Sequence, residues 1–246
     1  SSPAGSGTAA GNRSPSSTNF PSAMARDPGA VRAVLWDMGG VLTTSPFEAF
    51  ARYERERGLS PGFLRGVNAT NPDDNAWARL ERGELDPLRF DAAFAAESAA
   101  AGHRVPGSDV LALLVGDLRP GMLRAVAACR ERATTALLTN NVTPLDAVEP
   151  EIAAVLGHFD VVCQSSEMGS RKPELEFYRT ACARATVDPS EAVFLDDLGV
   201  NLKPARAMGM RTIKVETPER ALDELAAITG WPVAAVDMQP EAPTHG

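Results

Sequence analysis

Four short stretches of this 246-residue sequence carry polar side chains that could share one site. In the first, a mostly apolar run from residue 31 to Trp36 stops at Asp37, and Gly39 and Gly40 follow it. A run of this kind is typical of a buried strand that delivers its acid to an open loop. The other three stretches are Thr139-Asn140-Asn141, Arg171-Lys172-Pro173 and Asp196-Asp197.

The chemistry that these residue types would support together is metal-dependent phosphoryl transfer. Asp37 and Asp197 offer the hard oxygen ligands that Mg²⁺ prefers, alongside a backbone carbonyl, waters and phosphate. Thr139 and the backbone amides around Asn140 can hold phosphoryl oxygens, while Lys172 balances the negative charge. Asp37 would attack phosphorus and form an aspartyl-phosphate intermediate.

Each residue also has an ordinary alternative role. Asp196 and Asp197 are of a type that caps helices, and most lysines, like Lys172, are surface cations. Four such stretches in this order favour the site over separate roles. Receiver domains of response regulators use similar residues, but their acidic pair would come first in the chain, whereas here it comes last.

Strands and helices must bring the four stretches together. Strand-like runs are predicted at 31–36, 135–138, 159–163, 192–195 and 211–215, and helices at 122–132, 174–185, 202–208 and 219–229. Alternating strands and helices predict a parallel sheet with right-handed crossovers. Because the carboxyl ends of parallel strands meet at one edge, we expect the four polar stretches to converge there.

The segment from Thr43 to Leu118 carries no strand pattern and is predicted to be a helical cap inserted after the first strand. Its helices are expected from Pro46 to about Gly58 and at 61–67, 75–82, 87–101 and 108–115. A cap placed over the end of the first strand would exclude water and select substrates. The predicted division is a core of 29–43 and 119–231, a cap of 44–118, a flexible tail of 1–28 and a second tail of 232–246.

The composition and net charge limit the kinds of molecule that the protein is expected to bind. A hydrophobic content of 44% allows a full core, and a net charge of −8 argues against nucleic acid and anionic membranes. Cys129, Cys163 and Cys182 form no paired motif, so neither a disulfide framework nor a zinc site is expected. With no membrane-spanning run and no secretory signal pattern, a cytoplasmic protein that acts on a small molecule is expected. The sequence leaves the oligomeric state open.

The motifs resemble those of the haloacid dehalogenase-like hydrolase superfamily. They lie at 34–42, 137–141, 171–173 and 193–197. More narrowly, the run 194–206 with Met208-Gly209-Met210 resembles the N-terminal phosphatase domain of soluble epoxide hydrolases and related domains fused to acyl-CoA dehydrogenases. The resemblance covers 31–231 and implies an α/β fold, with a Rossmann-like parallel-sheet core, a helical cap, Mg²⁺ as cofactor and a phosphorylated metabolite or lipid as substrate.

Carried over by position, the resemblance assigns a role to each polar residue. It places the nucleophile at Asp37, the phosphate-binding pair at Thr139 and Asn140, and the lysine at Lys172. It places the metal ligands at Asp37, Asp197 and the backbone carbonyl of Gly39, with Asp196 and Asn201 as supporting neighbours.

Gly39 departs from the family pattern. Phosphatases of the superfamily usually carry a second Asp there, as general acid for the leaving group and base for water. Losing such a group typically costs about 10² to 10⁴ in rate. Asp73, Asp74 and Glu84 in the predicted cap are the candidates to replace it.

Gly39 also keeps two other functions open. A 2-haloacid dehalogenase needs no acid at this position, but it needs no divalent metal either. Its cap is also expected to supply a halide-binding arginine, and the sequence does not assign Arg52, Arg55 or Arg57 to that role. The other alternative is a catalytically impaired regulatory or binding protein. Against it stands the retained acidic cluster, because clustered carboxylates need a cation to offset their repulsion. The phosphatase is the favoured prediction.

Overall fold

The computed structural model describes residues 29–142 and 154–233. Their sheet has five parallel strands in the order β3-β2-β1-β4-β5. The strands are β1 (Ala33–Trp36), β2 (Thr134–Thr139), β3 (Val161–Gln164), β4 (Ala192–Asp196) and β5 (Arg211–Lys214). All five predicted strands are present, and β1 and β3 each begin two residues later than expected.

The register of the central strand fixes where the acids lie. Trp36 pairs with Leu137 of β2 on one side and with Leu195 of β4 on the other. The backbone N–H of Asp37 donates to the carbonyl of Leu195 at 3.0 Å, which extends the pairing by one residue. Asp37 therefore leaves the sheet beside the end of β4, as the parallel topology predicts.

Helices cover both faces of the sheet, and β1 shows why. Val34 and Trp36 pack into one hydrophobic cluster, while Ala33 and Leu35 pack into the other, which is the two-residue alternation of a strand buried on both faces. The first cluster includes α6 (Pro120–Arg130) and α10 (Pro218–Thr229), and the second includes α8 (Leu175–Ala185) and α9 (Gly199–Ala207). The predicted α/β fold with a Rossmann-like core is confirmed.

Helix α9 begins at Gly199, three residues before the predicted start at Leu202. The prediction kept Pro204 within the first turn, where a missing N–H costs nothing. In the structure Pro204 lies in the helix interior, and the extra turn carries Asn201.

The helical insertion between β1 and β2 is also confirmed. Its helices are α1 (Pro46–Glu56), α2 (Phe63–Ala69), α3 (Ala76–Glu81), α4 (Pro87–Ala100) and α5 (Gly107–Ala112). They have a hydrophobic cluster of their own, which includes Phe50, Leu64, Phe90 and Phe94. Helix α2 starts two residues later than predicted because Gly62 has a left-handed φ of +80° and is its N-cap. The Glu54 carboxylate of α1 accepts from the backbone N–H groups of Gly62 and Leu64.

The chain enters and leaves the insertion at one place. Thr43 and Leu118 form an antiparallel bridge, and the N–H of Arg119 donates to the carbonyl of Leu42 at 2.8 Å. The predicted cap boundaries at 44 and 118 stay a prediction, although they fall beside this bridge. A short helix, α7 (Ser165–Met168), follows β3.

Two predicted segments fall outside this description. The N-terminal tail 1–28 and all but the first two residues of the C-terminal tail 232–246 lie outside the described residues. Within the described part of the chain, no helix has both the length and the apolar content to cross a bilayer.

Candidate active site

Asp37 lies at the carboxyl end of β1, where a tight turn over residues 38–42 redirects the chain. Its Oδ1 atom accepts a hydrogen bond from the Met38 N–H at 2.7 Å and lies 2.6 Å from Nζ of Lys172. Its Oδ2 atom has no hydrogen-bond partner among the described residues. One carboxylate oxygen is thus fixed, while the other is open to a ligand.

Lys172 is the central cation of the site. Its side chain is only 1% exposed, and its Nζ atom lies 2.9 Å from Oδ2 of Asp196, as well as within reach of Asp37. Burial alone would lower the pKa of Lys172, but the carboxylates of Asp196 and Asp37 outweigh burial and raise it. The group is therefore an ammonium ion, and the phenyl ring of Phe194 lies 5.6 Å away.

Asp196 is a fully occupied acceptor. Its oxygens accept from the backbone N–H of Leu198 at 2.8 Å and from Nδ2 of Asn201 at 3.1 and 3.0 Å, in addition to the bond from Lys172. The Tyr178 hydroxyl donates to the Asn201 carbonyl at 2.7 Å and secures the first turn of α9. Asp196 and Asn201 therefore hold Lys172 in place, as supporting residues would.

Asp197 completes a cluster of three carboxylates. One oxygen each from Asp37, Asp196 and Asp197 lies within 4.8 Å of the others. Burial, followed by the charge of Asp196, raises the pKa of Asp197 to about 6, against the lowering effects of Lys172 and Arg119. Burial also raises the pKa of Asp37, and the two acidic neighbours add to it, although Lys172 opposes them. A hard cation would relieve this repulsion.

The two glycines after the nucleophile differ in the space around them. Gly40 has a φ of +76°, and a Cβ built on it would lie 2.3 Å from Oδ2 of Asp197. Gly39 has φ −69° and ψ 129°, which any residue adopts, and no atom lies within 4 Å of its ideal Cβ. A side chain is thus excluded at Gly40 and has room at Gly39.

Thr139 and Asn140 end β2, next to the nucleophile. Thr139 is buried, and its hydroxyl has no hydrogen-bond partner among the residues that the structure describes. The Asn140 side chain is already engaged: Oδ1 accepts from the Lys172 N–H and Nδ2 donates to the Lys172 carbonyl, both at 2.9 Å. Only the backbone N–H of Asn140 is left to meet a phosphoryl oxygen.

The candidates for a replacement acid form no hydrogen bond or ion pair with the three clustered carboxylates in the described parts of the chain. Glu84 lies 2.6 Å from Nε of Arg82, whose hydrogen bond lowers the pKa of the carboxylate, so Glu84 carries a proton less often than an ordinary glutamate and is a poor general acid. Asp73 and Asp74 are exposed, and their carboxylates make no hydrogen bond or ion pair within the described parts of the chain.

Three further residues of this region were assigned no role from the sequence. Nη1 of Arg119 donates to the Gly40 carbonyl at 2.8 Å, so an arginine at the end of the insertion holds the turn after the nucleophile. Glu81 of α3 forms a buried ion pair with Arg171. Position offered a signal for two of them, because Arg119 follows the predicted cap boundary and Arg171 precedes the lysine. For Glu81 no signal was present.

Comparisons with known proteins point to one family. The sequence model of the haloacid dehalogenase-like hydrolases matches residues 31–209. The chain is 36% identical to acyl-CoA dehydrogenase family member 10 of Mus musculus over 82% of its own length and 19% of the relative's. It is 32% identical to bifunctional epoxide hydrolase 2 of the same species over 88% of its own length and 43% of the relative's. The chain thus spans less than half of either relative.

A smaller relative and two solved structures match over most of their length. The chain is 27% identical to a sesquiterpene phosphatase of Aspergillus oryzae, over 81% of this chain and 97% of the relative. A predicted hydrolase of this type from Porphyromonas gingivalis aligns with a TM-score of 0.57 and 21% identity, over 80% of this chain and 97% of that one. An enzyme from Bacteroides thetaiotaomicron, solved with magnesium and inorganic phosphate, aligns with a TM-score of 0.51 and 23% identity, over 75% and 94%. At these identities the two structures confirm the fold.

Proposed function

Because the chain belongs to the haloacid dehalogenase-like hydrolase family, we propose that it is a Mg²⁺-dependent phosphatase of small phosphoric monoesters, with Asp37 as the nucleophile. The observation that carries the proposal is the buried ammonium of Lys172 between Asp37 and Asp196, with Asp197 beside them. A cation fixed against a nucleophilic carboxylate, at the sheet edge where ligands bind, suits the attack of an anion on phosphate.

The donor set fits Mg²⁺. Asp37 and Asp197 would hold the ion together with the carbonyl of Gly39, while Asp196 keeps its oxygens on Lys172 and Asn201. When bound, the ion would neutralise charge on the phosphoryl oxygens and polarise phosphorus. Magnesium and phosphate in the Bacteroides enzyme support this assignment, although that enzyme is only 23% identical.

The residues of the chain then divide the reaction between them. Lys172 lowers the pKa of Asp37 against the effect of burial. In the ionised form of Asp37, the open Oδ2 atom forms a bond to phosphorus as the bond from phosphorus to the leaving oxygen breaks. The Thr139 hydroxyl and the Asn140 N–H hold the phosphoryl oxygens. Water then attacks the aspartyl-phosphate, releasing inorganic phosphate, returning Asp37 to its carboxylate form and giving its proton to solvent.

Gly39 limits the first of these two steps. No side chain at this position can protonate the leaving oxygen, so that oxygen takes its proton from water. Turnover is therefore expected to be slow for alkyl phosphates and faster for leaving groups of low pKa, such as phenols. The substrate class that we propose is a small phosphorylated metabolite or lipid phosphate, and the similarity to a sesquiterpene phosphatase supports it.

Hydrolysis of an aryl phosphate with and without Mg²⁺ tests the proposal. Wild-type turnover should require Mg²⁺, disappear in Asp37→Asn and lose most of its metal dependence in Asp197→Ala. Unchanged rates in either variant would remove the site assignment.

Gly39 also favours a second candidate, a protein that binds phosphorylated ligands without turning them over. It predicts an inactive wild type that still binds inorganic phosphate with Mg²⁺ and that gains turnover in Gly39→Asp. Phosphate binding measured by calorimetry on both proteins separates the two functions.

A further inference from the structure

The ion pair between Glu81 and Arg171 joins the cap to the core next to the site. Glu81 is the last residue of α3, and Arg171 precedes Lys172 in the chain. The side chains are only 8% and 12% exposed, respectively, so the pair is screened little by water. Ninety positions separate the two residues in sequence.

Each oxygen of Glu81 is bonded to an N–H donor. Oε1 accepts from the indole of Trp77 at 2.9 Å, and Oε2 accepts from Nδ2 of Asn140 at 3.2 Å as well as from Nη1 of Arg171. Burial raises the pKa of Glu81, but Arg171 and Trp77 oppose this by favouring the ionised form. With three donors directed at it, Glu81 is an acceptor and is not available to protonate a leaving group.

Asn140 connects Glu81 to the lysine. Its amide bonds both backbone groups of Lys172, accepting from the N–H and donating to the carbonyl. The second N–H of the same amide group points to Glu81. A carboxylate can accept a hydrogen bond only from the NH₂ group of the amide. Glu81 therefore fixes the orientation of the Asn140 amide, so that its oxygen faces the Lys172 N–H.

Arg171 provides a second connection on the same side. Its Nη2 atom donates to the carbonyl of Pro72 at 2.7 Å, in the cap segment before α3. Both residues that hold the Lys172 backbone, Arg171 by covalent linkage and Asn140 by hydrogen bonds, are thus bound to the cap. A shift of α3 would reach both of them.

We propose that Glu81 is a positioning residue: it couples the docking of the cap to the placement of Lys172 against Asp37. The inference rests on the proposed function, since it assigns Lys172 its role in turnover. The coupling also predicts that Lys172 is placed correctly against Asp37 only when the cap is docked on the core. Turnover would then occur only in the docked state.

The test compares Glu81→Gln with a matched neighbour, Arg82→Gln. Glu81→Gln takes from Arg171 its nearest counter-charge, leaving Glu174 at 4.0 Å, and turns an N–H toward one of the three donors. Arg82→Gln removes another ion pair between cap and core, 3.0 Å to Glu174, together with the pair to Glu84, without touching Asn140 or Lys172. With the aryl phosphate and Mg²⁺, kcat should fall at least tenfold in Glu81→Gln with KM changed less than threefold, and both should stay within threefold in Arg82→Gln. Equal losses in the two variants would overturn the inference.

A second measurement does not depend on turnover. Amide hydrogen exchange of the Lys172 N–H, the donor to Asn140, should be at least tenfold faster in Glu81→Gln and unchanged in Arg82→Gln. Unchanged exchange in Glu81→Gln overturns the inference whatever the enzyme does, whereas a wild type without Mg²⁺-dependent turnover overturns the proposed function alone. If Glu81→Gln does not fold, Trp77→Phe removes the indole N–H that bonds Oε1, together with part of the ring that packs against Phe90, and should shift exchange in the same direction, by about two- to fivefold. No shift in that variant would count against the inference.

Discussion

Nζ of Lys172 lies 2.6 Å from Oδ1 of Asp37, and the lysine side chain is almost completely buried. This contact places the positive charge of the site behind the nucleophile, while the second oxygen of Asp37 stays open. The Lys172 ammonium also compensates part of the negative charge of the three clustered carboxylates.

Removing the buried cation should destabilise the protein strongly. Lys172→Met keeps the volume but leaves Asp37 and Asp196 uncompensated, and breaking a buried pair in this way typically costs about 3–5 kcal/mol. The loss should be smaller at pH 5 than at pH 7, because burial raises the pKa of Asp37 and this carboxylate can take up a proton there. Urea unfolding of Lys172→Met at both pH values measures it, with the exposed Lys203→Met as the control, for which about 0.5 kcal/mol or less is expected. A loss that is independent of pH would contradict this account.

Restoring a carboxyl at position 39 should raise turnover. Gly39 has open space and an ordinary backbone conformation, so Gly39→Asp should fold normally and raise kcat for an alkyl phosphate by about 10²- to 10⁴-fold. Gly39→Asn, of the same size but unable to transfer the proton, should not raise it.

The adjacent glycine gives the opposite expectation. Gly40→Ala would place a Cβ 2.3 Å from Oδ2 of Asp197 at a positive φ, so it should weaken Mg²⁺ binding and lower the thermal unfolding temperature. If Gly40→Ala is tolerated as well as Gly39→Ala, the turn does not have the described geometry.

The affinity for Mg²⁺ should depend on the titration of Asp197. Its pKa is about 6, so at pH 5 the carboxyl is mostly protonated, and Mg²⁺ should bind about tenfold more weakly at pH 5 than at pH 7. Without metal, the stability of the folded state changes with pH in the opposite direction. Because the pKa of Asp197 is higher in the folded state than in the unfolded state, the stability that its protonation contributes is lost as pH rises from about 4 through 6. Calorimetric titration at three pH values checks the affinity, and in Asp197→Asn the remaining binding should be weaker and depend less on pH.

The core of the cap should matter for stability in its own right. Phe90 is fully buried, and its ring centroid lies 5.4 Å from that of Phe94, so Phe90→Ala should cost about 3–5 kcal/mol of unfolding free energy. Leu88, two residues earlier in the same helix, is 82% exposed, and Leu88→Ala should cost about 0.5 kcal/mol or less. Chemical denaturation of the two variants makes the comparison, and similar values would mean that the helix faces the other way.

The sheet and most of the candidate site could be predicted because both depend on short stretches of sequence. An apolar strand that ends at an acid fixes the strand and the position of Asp37 at once, and parallel topology then brings the other strand ends to it. The same reasoning could not foresee that Lys172 would be among the most buried side chains, since lysine is usually exposed. Its burial depends on Asp196 and Asn201, which are distant in sequence.

The contacts between the cap and the core could not be predicted. Glu81 and Arg171 come together only after α3 has packed against the segment around α7, and the charge of Glu81 alone suggested an exposed residue. Helix α9 also starts earlier than predicted: Pro204, which would lie in the first turn of a helix starting at Leu202, lies in the interior of this one.

The bridge between Thr43 and Leu118 has a consequence for how the protein can be altered. Since the two chain crossings lie side by side, the ends of the insertion are already as close as the ends of a hairpin, and the core is spared the entropy of closing a loop of some seventy residues. The insertion could therefore be exchanged for a cap of another length, or for a short turn, with the strands left in register. Such grafts would also remove the contacts of Glu81 with Arg171 and Asn140, so they would measure how much of the chemistry the core can perform without the cap.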